Sequence, residues 1–285
     1  FQMHLASMWL ATEQPLIDNE LLGYGRDPLA PSRDAITADG DVVIPLDVTG
    51  IGYWLKALFG APTTTGTTPK THTFASGGWT LPSMSIEKQL SDVPQFEMFS
   101  GVMADKLSMT MKRDGLLQAT VGLMAQGSVT GAATGAGTPS AITLQRFVHF
   151  NGAIKRNGSA LANITQAEIN YMNNLDRVET IRSDGKIEGL DPSMATMNGK
   201  LRARFADTTL FDQAVAGSSC SLEFSWTISA SASLTITAHE VYLPRPRLPI
   251  DGAGGLSIEF DWQAAKAVSP ARMCTAVLVN TTTSY

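Results

Sequence analysis

Hydrophobic and polar residues alternate with a period of two over much of this chain. From Lys106 to Lys112, Leu107, Met109 and Met111 alternate with Lys106, Ser108, Thr110 and Lys112, as in a strand with one buried face. Asp114-Gly115 follows, a strong hairpin signal, and Leu116–Gln126 is predicted to return as the partner strand. Ser83–Gln89 puts Met84 and Ile86 on one face and Ser83, Ser85, Glu87 and Gln89 on the other. Ser221–Ser229 turns Leu222, Phe224, Trp226 and Ile228 inward, and Ser233–His239 does the same with Leu234, Ile236 and Ala238. Met3–Ala11, Val42–Val48, Lys200–Ala206, Leu256–Asp261 and Arg272–Asn280 complete the predicted strands.

Two segments change to helical spacing. Ile51, Trp54, Leu55 and Leu58 share one face of a helix stopped at Gly60, with Pro62 beyond it. Asp207 is a predicted N-cap for a second helix carrying Leu210, Phe211, Ala214 and Val215 and ending at Gly217.

Between these elements lie turn-rich stretches. The opening strand leads into a loop holding Asp27-Pro28 and Pro31-Ser32, and Ala61–Lys70 reads as a Thr/Gly/Pro loop. Ser128–Pro139 is low-complexity Gly/Ala/Thr. Asn151-Gly152, Asn157-Gly158 and Asp184-Gly185 mark turns in a β-rich passage over 142–197, and Pro244–Pro249 interrupts the last strands.

The order strand, helix with a terminal glycine, then alternating strands occurs at 41–126 and again at 199–280. This predicts a mainly β fold with an internal duplication. Residues 1–127 form the first expected module, 128–141 the linker or loop, and 142–285 the second.

Composition narrows the function classes. The 285 residues are 44% hydrophobic and only 16% charged, against roughly 25% charged in an ordinary soluble domain. Ser, Thr, Gly and Ala take up the difference, as in proteins largely covered by copies of themselves. Net charge is −5 and no Lys/Arg run occurs, which argues against tight binding to nucleic acid by phosphate neutralisation. A mildly acidic surface instead lets DNA pass without sticking. Cys220 and Cys274 lie in alternating apolar runs and read as buried free thiols. No signal peptide, lipidation motif or long apolar span occurs, so the sequence reads as a soluble protein made in the cytoplasm. The chain begins at Phe1 rather than Met, which leaves room for residues upstream.

Candidate chemistry is sparse. His4, His72, His149 and His239 lack metal-ligand spacing to one another or to cysteine. Gly50-Ile51-Gly52 lacks the rest of a dinucleotide fingerprint, and neither a phosphate loop nor a Gly-x-Ser-x-Gly elbow occurs. Glu87, Glu223, Glu240, Glu259 and Asp261 lie on polar strand faces. A pair of them flanking a sugar is conceivable on chemical grounds, but a solvated or pore-facing surface is the simpler reading. Trp54, Trp79, Trp226 and Trp262 read as core or interface. No enzyme, cofactor or metal is indicated.

One succession of residues carries a family resemblance. Asp39-Gly40-Asp41-Val42-Val43 is followed by Gly52-Tyr53-Trp54-Leu55-Lys56-Ala57-Leu58-Phe59-Gly60, His72-Thr73-Phe74 and Leu81-Pro82-Ser83-Met84-Ser85-Ile86-Glu87. Gly101-Val102-Met103-Ala104-Asp105-Lys106-Leu107 then leads into Leu116-Leu117-Gln118-Ala119-Thr120-Val121. Further on stand Asn173-Asn174-Leu175-Asp176, Gly199-Lys200-Leu201-Arg202-Ala203-Arg204-Phe205 and Leu210-Phe211. In this order the chain resembles the major tail tube proteins of long, flexible-tailed (siphovirus-type) bacteriophages.

The resemblance implies β-sandwich or barrel modules, each with a flanking helix, that close into rings and stack into a tube for DNA ejection. It places the protein in the virion tail, assembled in the host cytoplasm, with tail tip, tape-measure and tail terminator proteins as partners. DNA would pass transiently and without specificity, and no membrane insertion is expected. A duplicated chain would form trimeric, pseudo-six-fold rings; hexameric rings are the alternative, with the second half part of one enlarged sandwich. Ser85, Glu87, Gln89, Glu223, Thr235 and Glu259 are the expected lumen-facing polar residues. Thr63, Thr64, Thr65, Gly66, Thr67 and Thr68 form the expected loop between successive rings, with Ser128–Pro139 a second candidate. Three other classes compete: the inner tube of a contractile injection system, a carbohydrate-binding or adhesin β-sandwich, and an outer-membrane barrel, against which the absent signal peptide, sparse Tyr and Trp and two helix signals weigh. The length argues against the first, and the lack of an evident aromatic platform or calcium-type loop against the second.

Overall fold

The computed structural model describes residues 1–90, 92–247 and 256–285. In chain order the first half holds β1 (Ser7–Met8), β2 (Ala11–Glu13), β3 (Leu16–Asn19), β4 (Leu29–Arg33) and β5 (Thr37–Pro45). Helix α1 (Gly50–Phe59) follows, then β6 (Thr63–Thr65), β7 (Lys70–Ala75), β8 (Met84–Leu90), β9 (Gln95–Lys112), β10 (Gln118–Met124) and β11 (Gly127–Gly131). The second half begins with β12 (Gly152–Arg156), β13 (Ser159–Ala160), β14 (Ile164–Met172), β15 (Asp176–Val178), β16 (Gly189–Asp191) and β17 (Thr196–Arg204). It ends with α2 (Thr209–Ala216), β18 (Cys220–Ser229), β19 (Ala232–Tyr242), β20 (Ser257–Ala265) and β21 (Cys274–Asn280). The fold is mainly β.

Antiparallel pairing sets β5, β10, β9, β14, β17 and β20 side by side as a first sheet, with β1 and β2 along the outer side of β5. A second sheet runs β13, β12, β18, β19, β21, β7, β6. The end of β19 crosses over to pair with β20, Glu240 opposite Ala265 and Tyr242 opposite Gln263, and so joins the two. Alternate residues of both sheets bury into one core: Leu107, Val121, Ile169, Leu201 and Phe260 from the first, Leu222, Trp226, Leu234 and Leu278 from the second. Phe224 of β18 stacks on Trp262 of β20, ring centroids 5.8 Å apart, which brings the two inner faces together. Two pairings tie the halves of the chain, β9 to β14 and β7 to β21.

Helix α1 buries Ile51, Leu55 and Leu58 completely. Asp47 caps its start, with Oδ2 accepting the Gly50 N–H at 2.7 Å and the Thr49 N–H at 3.2 Å. Burial holds the Asp47 carboxyl above its ordinary range, against the opposing pull of those backbone donors. Gly60 ends the helix at φ 88°, a conformation that costs a residue with a Cβ but not glycine. Gly52 is needed for space: a Cβ there would lie 2.1 Å from the Tyr285 ring, whose hydroxyl donates to the Thr49 carbonyl at 2.9 Å.

Most predicted strands form, with differences that have physical causes. The expected opening strand, Met3–Ala11, is only two short pieces, because β1 and β2 pair successively along β5 around the Trp9–Gly40 approach. The turn-rich stretch after it contains the β3–β4 hairpin. Thr63–Thr65, expected as loop, is an edge strand on β7, and only Gly66–Pro69 turns. Gly127–Gly131 is likewise a strand on β9. Asn151-Gly152 ends a 3-10 turn that opens β12, whereas Asn157-Gly158 makes the expected tight turn, both residues at positive φ. Thr208 occupies the cap position of α2, while Asp207 still accepts the Thr209 N–H at 3.0 Å. Ile228, expected inward, is 37% exposed because the register of β18 on β19 shifts between Thr227 and Ser229. The interruption at Pro244–Pro249 lies partly outside the described residues. Cys220 and Cys274 are free and buried, and burial pushes the Cys274 thiol up to about 12.

Candidate lumen and assembly surfaces

Since every second residue of the first sheet enters the core, the others form its outer face, and register fixes their rows. One row reads Thr120, Ser108, Asn170, Asn198, Gln263 from β10 across to β20. The next reads Thr110, Glu168, Lys200, Asp261, and the next Lys112, Gln166, Arg202, Glu259. Asp39 and Asp41 of β5 and Lys106 of β9 extend this face toward the other end. Acids and bases alternate across it. Lys200 Nζ lies 2.7 Å from Glu259 and 3.5 Å from Asp261, and Lys106 lies 3.2 Å from Asp41. These carboxylates raise the Lys200 ammonium above its ordinary range, the Glu259 hydrogen bond most of all. Ser108, Thr110, Gln118, Thr120, Glu168 and Asn170 line an open trough of about 270 Å³ on this face. Its lining is mainly hydroxyl and amide with a single carboxylate, and Lys112, Leu116 and Met109 complete it, a wetted wall rather than a reaction centre.

The six residues expected to face a lumen fall on three different surfaces. Glu259 belongs to the polar face just described. Glu223 and Thr235 lie on the outside of the second sheet, with Glu223 2.7 Å from Lys155 and Thr235 opposite Ser225. Ser85, Glu87 and Gln89 stand on β8, in a three-stranded arm made by β8, the first half of β9 and β11. This arm is tied to the body by Lys88, which donates to the Leu10 carbonyl at 3.0 Å and meets Glu97 at 2.7 Å. Sequence reading missed Gln166, Glu168 and Asn170. Their signal was present, because Ala167, Ile169 and Tyr171 alternate with them as buried residues.

Glu87 has a specific occupation. Its Oε1 accepts the Thr134 hydroxyl at 2.6 Å, and its Oε2 accepts the Gly135 and Ala136 N–H groups at 2.6 and 3.1 Å. The Gly/Ala/Thr segment is therefore pinned. The Thr134 hydrogen bond, followed by those backbone donors, holds the Glu87 carboxyl below its ordinary range. A carboxylate with a lowered folded pKa contributes its stabilisation above the unfolded value and loses it as pH falls through the folded one. Glu87→Ala is thus expected to let elastase cut residues 132–139 severalfold faster at neutral pH. In the unsubstituted chain, amide-exchange protection of Gly135 and Ala136 should be lost only in acid, as Glu87 is protonated. Equal cleavage of both proteins at neutral pH would show that the contacts do not hold the segment.

The expected ring-to-ring loop is also ordered in part. Thr64 Oγ1 bonds His72 Nδ1 at 2.9 Å, and His72 Nε2 reaches the Thr282 carbonyl at 3.0 Å, fastening β6 to the chain end. Only Gly66, Thr67 and Thr68, with Pro69, stand free as the turn. Among the described residues no group of His, Cys, Asp and Glu could hold a metal ion, and no helix is long and apolar enough to cross a membrane.

Fold and surfaces together define a mainly β protein whose organised features are broad faces and projecting hairpins. A family model described as phage tail tube protein matches residues 3–264, nearly the whole chain, and the chain belongs to that family. The search of curated proteins found no match. The protein is a structural component of a phage tail, and its family membership implies self-assembly into a tube.

Proposed function

We propose that this chain builds the tube of a long, flexible tail, the conduit through which DNA leaves the capsid, and that its task is structural rather than catalytic. The observation that carries this reading is the outer face of the first sheet: six adjacent strands, polar throughout their middle rows and backed by the core. Side by side in a ring, such faces make a continuous wetted wall. Asp39, Asp41, Glu168, Glu259 and Asp261 offset Lys106, Lys112, Lys200, Arg202 and Arg204 on it. A wall of balanced charge neutralises few phosphates and does not trap DNA.

Six chains per ring is the arrangement we favour, because the β9–β14 and β7–β21 pairings and the shared core support one sandwich per chain. Three chains with residues 1–127 and 142–285 as separate modules is the second reading. The repeated order of strand, helix and strands supports it. The Gly66–Thr68 turn and the 128–139 segment are proposed contacts to a neighbouring ring. Assembly would take place in the host cytoplasm with tail tip, tape-measure and terminator proteins.

Electron microscopy of virions or of the purified protein tests these points together. Tubes of stacked rings with six identical chains are expected, with Glu168, Lys200 and Glu259 toward the bore. Three chains per ring would select the modular reading. Tubes whose bore is lined by Glu223 and Thr235 would overturn the assignment of the first sheet.

A further inference from the structure

β21 ends at Asn280, and the residues after it form a short strap. The Thr282 N–H donates to Asn280 Oδ1 at 2.9 Å, which turns the chain, and the Thr282 carbonyl meets His72 Nε2 at 3.0 Å. His72 in turn bonds Thr64 of β6. Further along the strap, the Tyr285 ring lies against Gly52, where a Cβ would have no room. Tyr53 and His72 meet that ring edge-on, with centroids 5.0 and 4.8 Å away.

The hydroxyl of the ring is fully partnered. It donates to the Thr49 carbonyl at 2.9 Å and accepts the Asn280 amide at 2.6 Å, with Thr282 Oγ1 at 3.3 Å. Asn280 is buried, and its amide also donates to the Val48 carbonyl at 2.7 Å. Burial holds the Tyr285 phenol above its ordinary range, so the hydroxyl stays a donor at neutral pH. Such a slot selects a phenol over a plain ring, because a ring without the hydroxyl leaves one Asn280 N–H unpaired. Tyr285 itself is only partly buried, so the slot opens to solvent.

We propose that this slot is a phenol-binding site filled by the chain's own Tyr285, and that filling it closes the edge strand β6. The link is short. Tyr285 seats the strap, the strap places the Thr282 carbonyl, and that carbonyl holds His72 against Thr64. β6 pairs with β7 over Thr63–Thr65 only, and a strand so short stays in place through what holds its side chains. The start of α1 and the edge of the second sheet are thus fastened by a segment that belongs to neither. This device lies within one chain and goes beyond the tube reading.

The test uses the full chain carrying Tyr285→Ala, with p-cresol as the probe. p-Cresol is expected to raise the melting temperature of the variant by about 2 °C or more. It should leave the unsubstituted chain unchanged, because there the slot is filled. Toluene, which lacks the hydroxyl, should do less. Amide exchange separates the two parts of the proposal. In the variant, the start of α1 and β6 should both exchange about tenfold faster. p-Cresol should restore α1 alone, since a free phenol carries no strap to hold His72. Gly52→Ala crowds the slot while keeping the tyrosine; it should also speed exchange in β6, and p-cresol should not reverse it. If p-cresol acts on the variant and the unsubstituted chain alike, the phenol site is overturned. If β6 exchanges at one rate in all three proteins, the strap does not close it. Faster exchange of every strand together, unmoved by p-cresol, would overturn both parts. None of these readouts needs a tube, so the tube reading stands or falls separately.

Discussion

Phe224→Ala is expected to lower the unfolding free energy by about 3–5 kcal/mol, the largest single effect foreseen for this chain. Phe224 is fully buried on β18 and stacks on Trp262 of β20 with ring planes 27° apart. Its strand neighbours are Ile154 on β12 and Ile236 on β19, so the ring is enclosed within its own sheet and from across the core. Truncation removes the transfer free energy of the ring and leaves a cavity that paired strands on both sides cannot close. Denaturant titration of the monomer measures the loss; a change below about 1 kcal/mol would mean that the sheets are not close-packed there. Phe224→Leu, which retains most of the volume, should cost less than half as much.

Asn173→Ala should cost about 3 kcal/mol or more, since each buried polar group left unpaired costs about 1–3 kcal/mol. The Asn173 side chain is a junction. Its Nδ2 donates to the Leu58 carbonyl at 3.1 Å and to the Ala104 carbonyl at 3.0 Å, and its Oδ1 accepts the Tyr171 hydroxyl at 3.0 Å. One amide thus fastens the end of α1 to β9 and β14, across the boundary between the two halves of the chain. Burial holds the Tyr171 phenol above its ordinary range, so it stays a donor to that amide. Tyr171→Phe removes only one of these bonds and should cost about 1 kcal/mol. A double-mutant cycle would show coupling between the two positions; strict additivity would show that Asn173 acts through the carbonyls alone.

The sequence was most informative where burial is one-sided. In Lys106–Lys112, and in Leu222, Phe224 and Trp226, a period of two follows directly from a strand with one face in the core, and these residues pack as expected. Helix α1 was legible from the helical spacing of Ile51, Trp54, Leu55 and Leu58, with Gly60 marking its end, although all but Tyr53 and Lys56 of its residues are buried. Reading failed where partners decide. Thr63–Thr65 has the composition of a loop, yet β7 offers it an edge. Ser128–Pro139 has the composition of a free linker, yet β9 pairs its start and Glu87 accepts the Thr134 hydroxyl and two backbone N–H groups further on. The polar residues expected in a lumen were correctly placed on outward strand faces, but a sheet has two sides and this fold has two sheets and an arm. Alternation cannot say which outward face is which, so Glu87, Glu223 and Glu259 were grouped although the fold separates them.

By itself, then, the sequence determined a mainly β chain with two helices, a sparse charge content and an order of motifs that resembles tail tube proteins, because propensity, periodicity and turn chemistry are local. Only the tertiary structure decided which strands lie side by side, since pairing between residues far apart in sequence depends on which apolar faces meet in the core. That choice brings Glu168, Lys200 and Glu259 onto one polar wall.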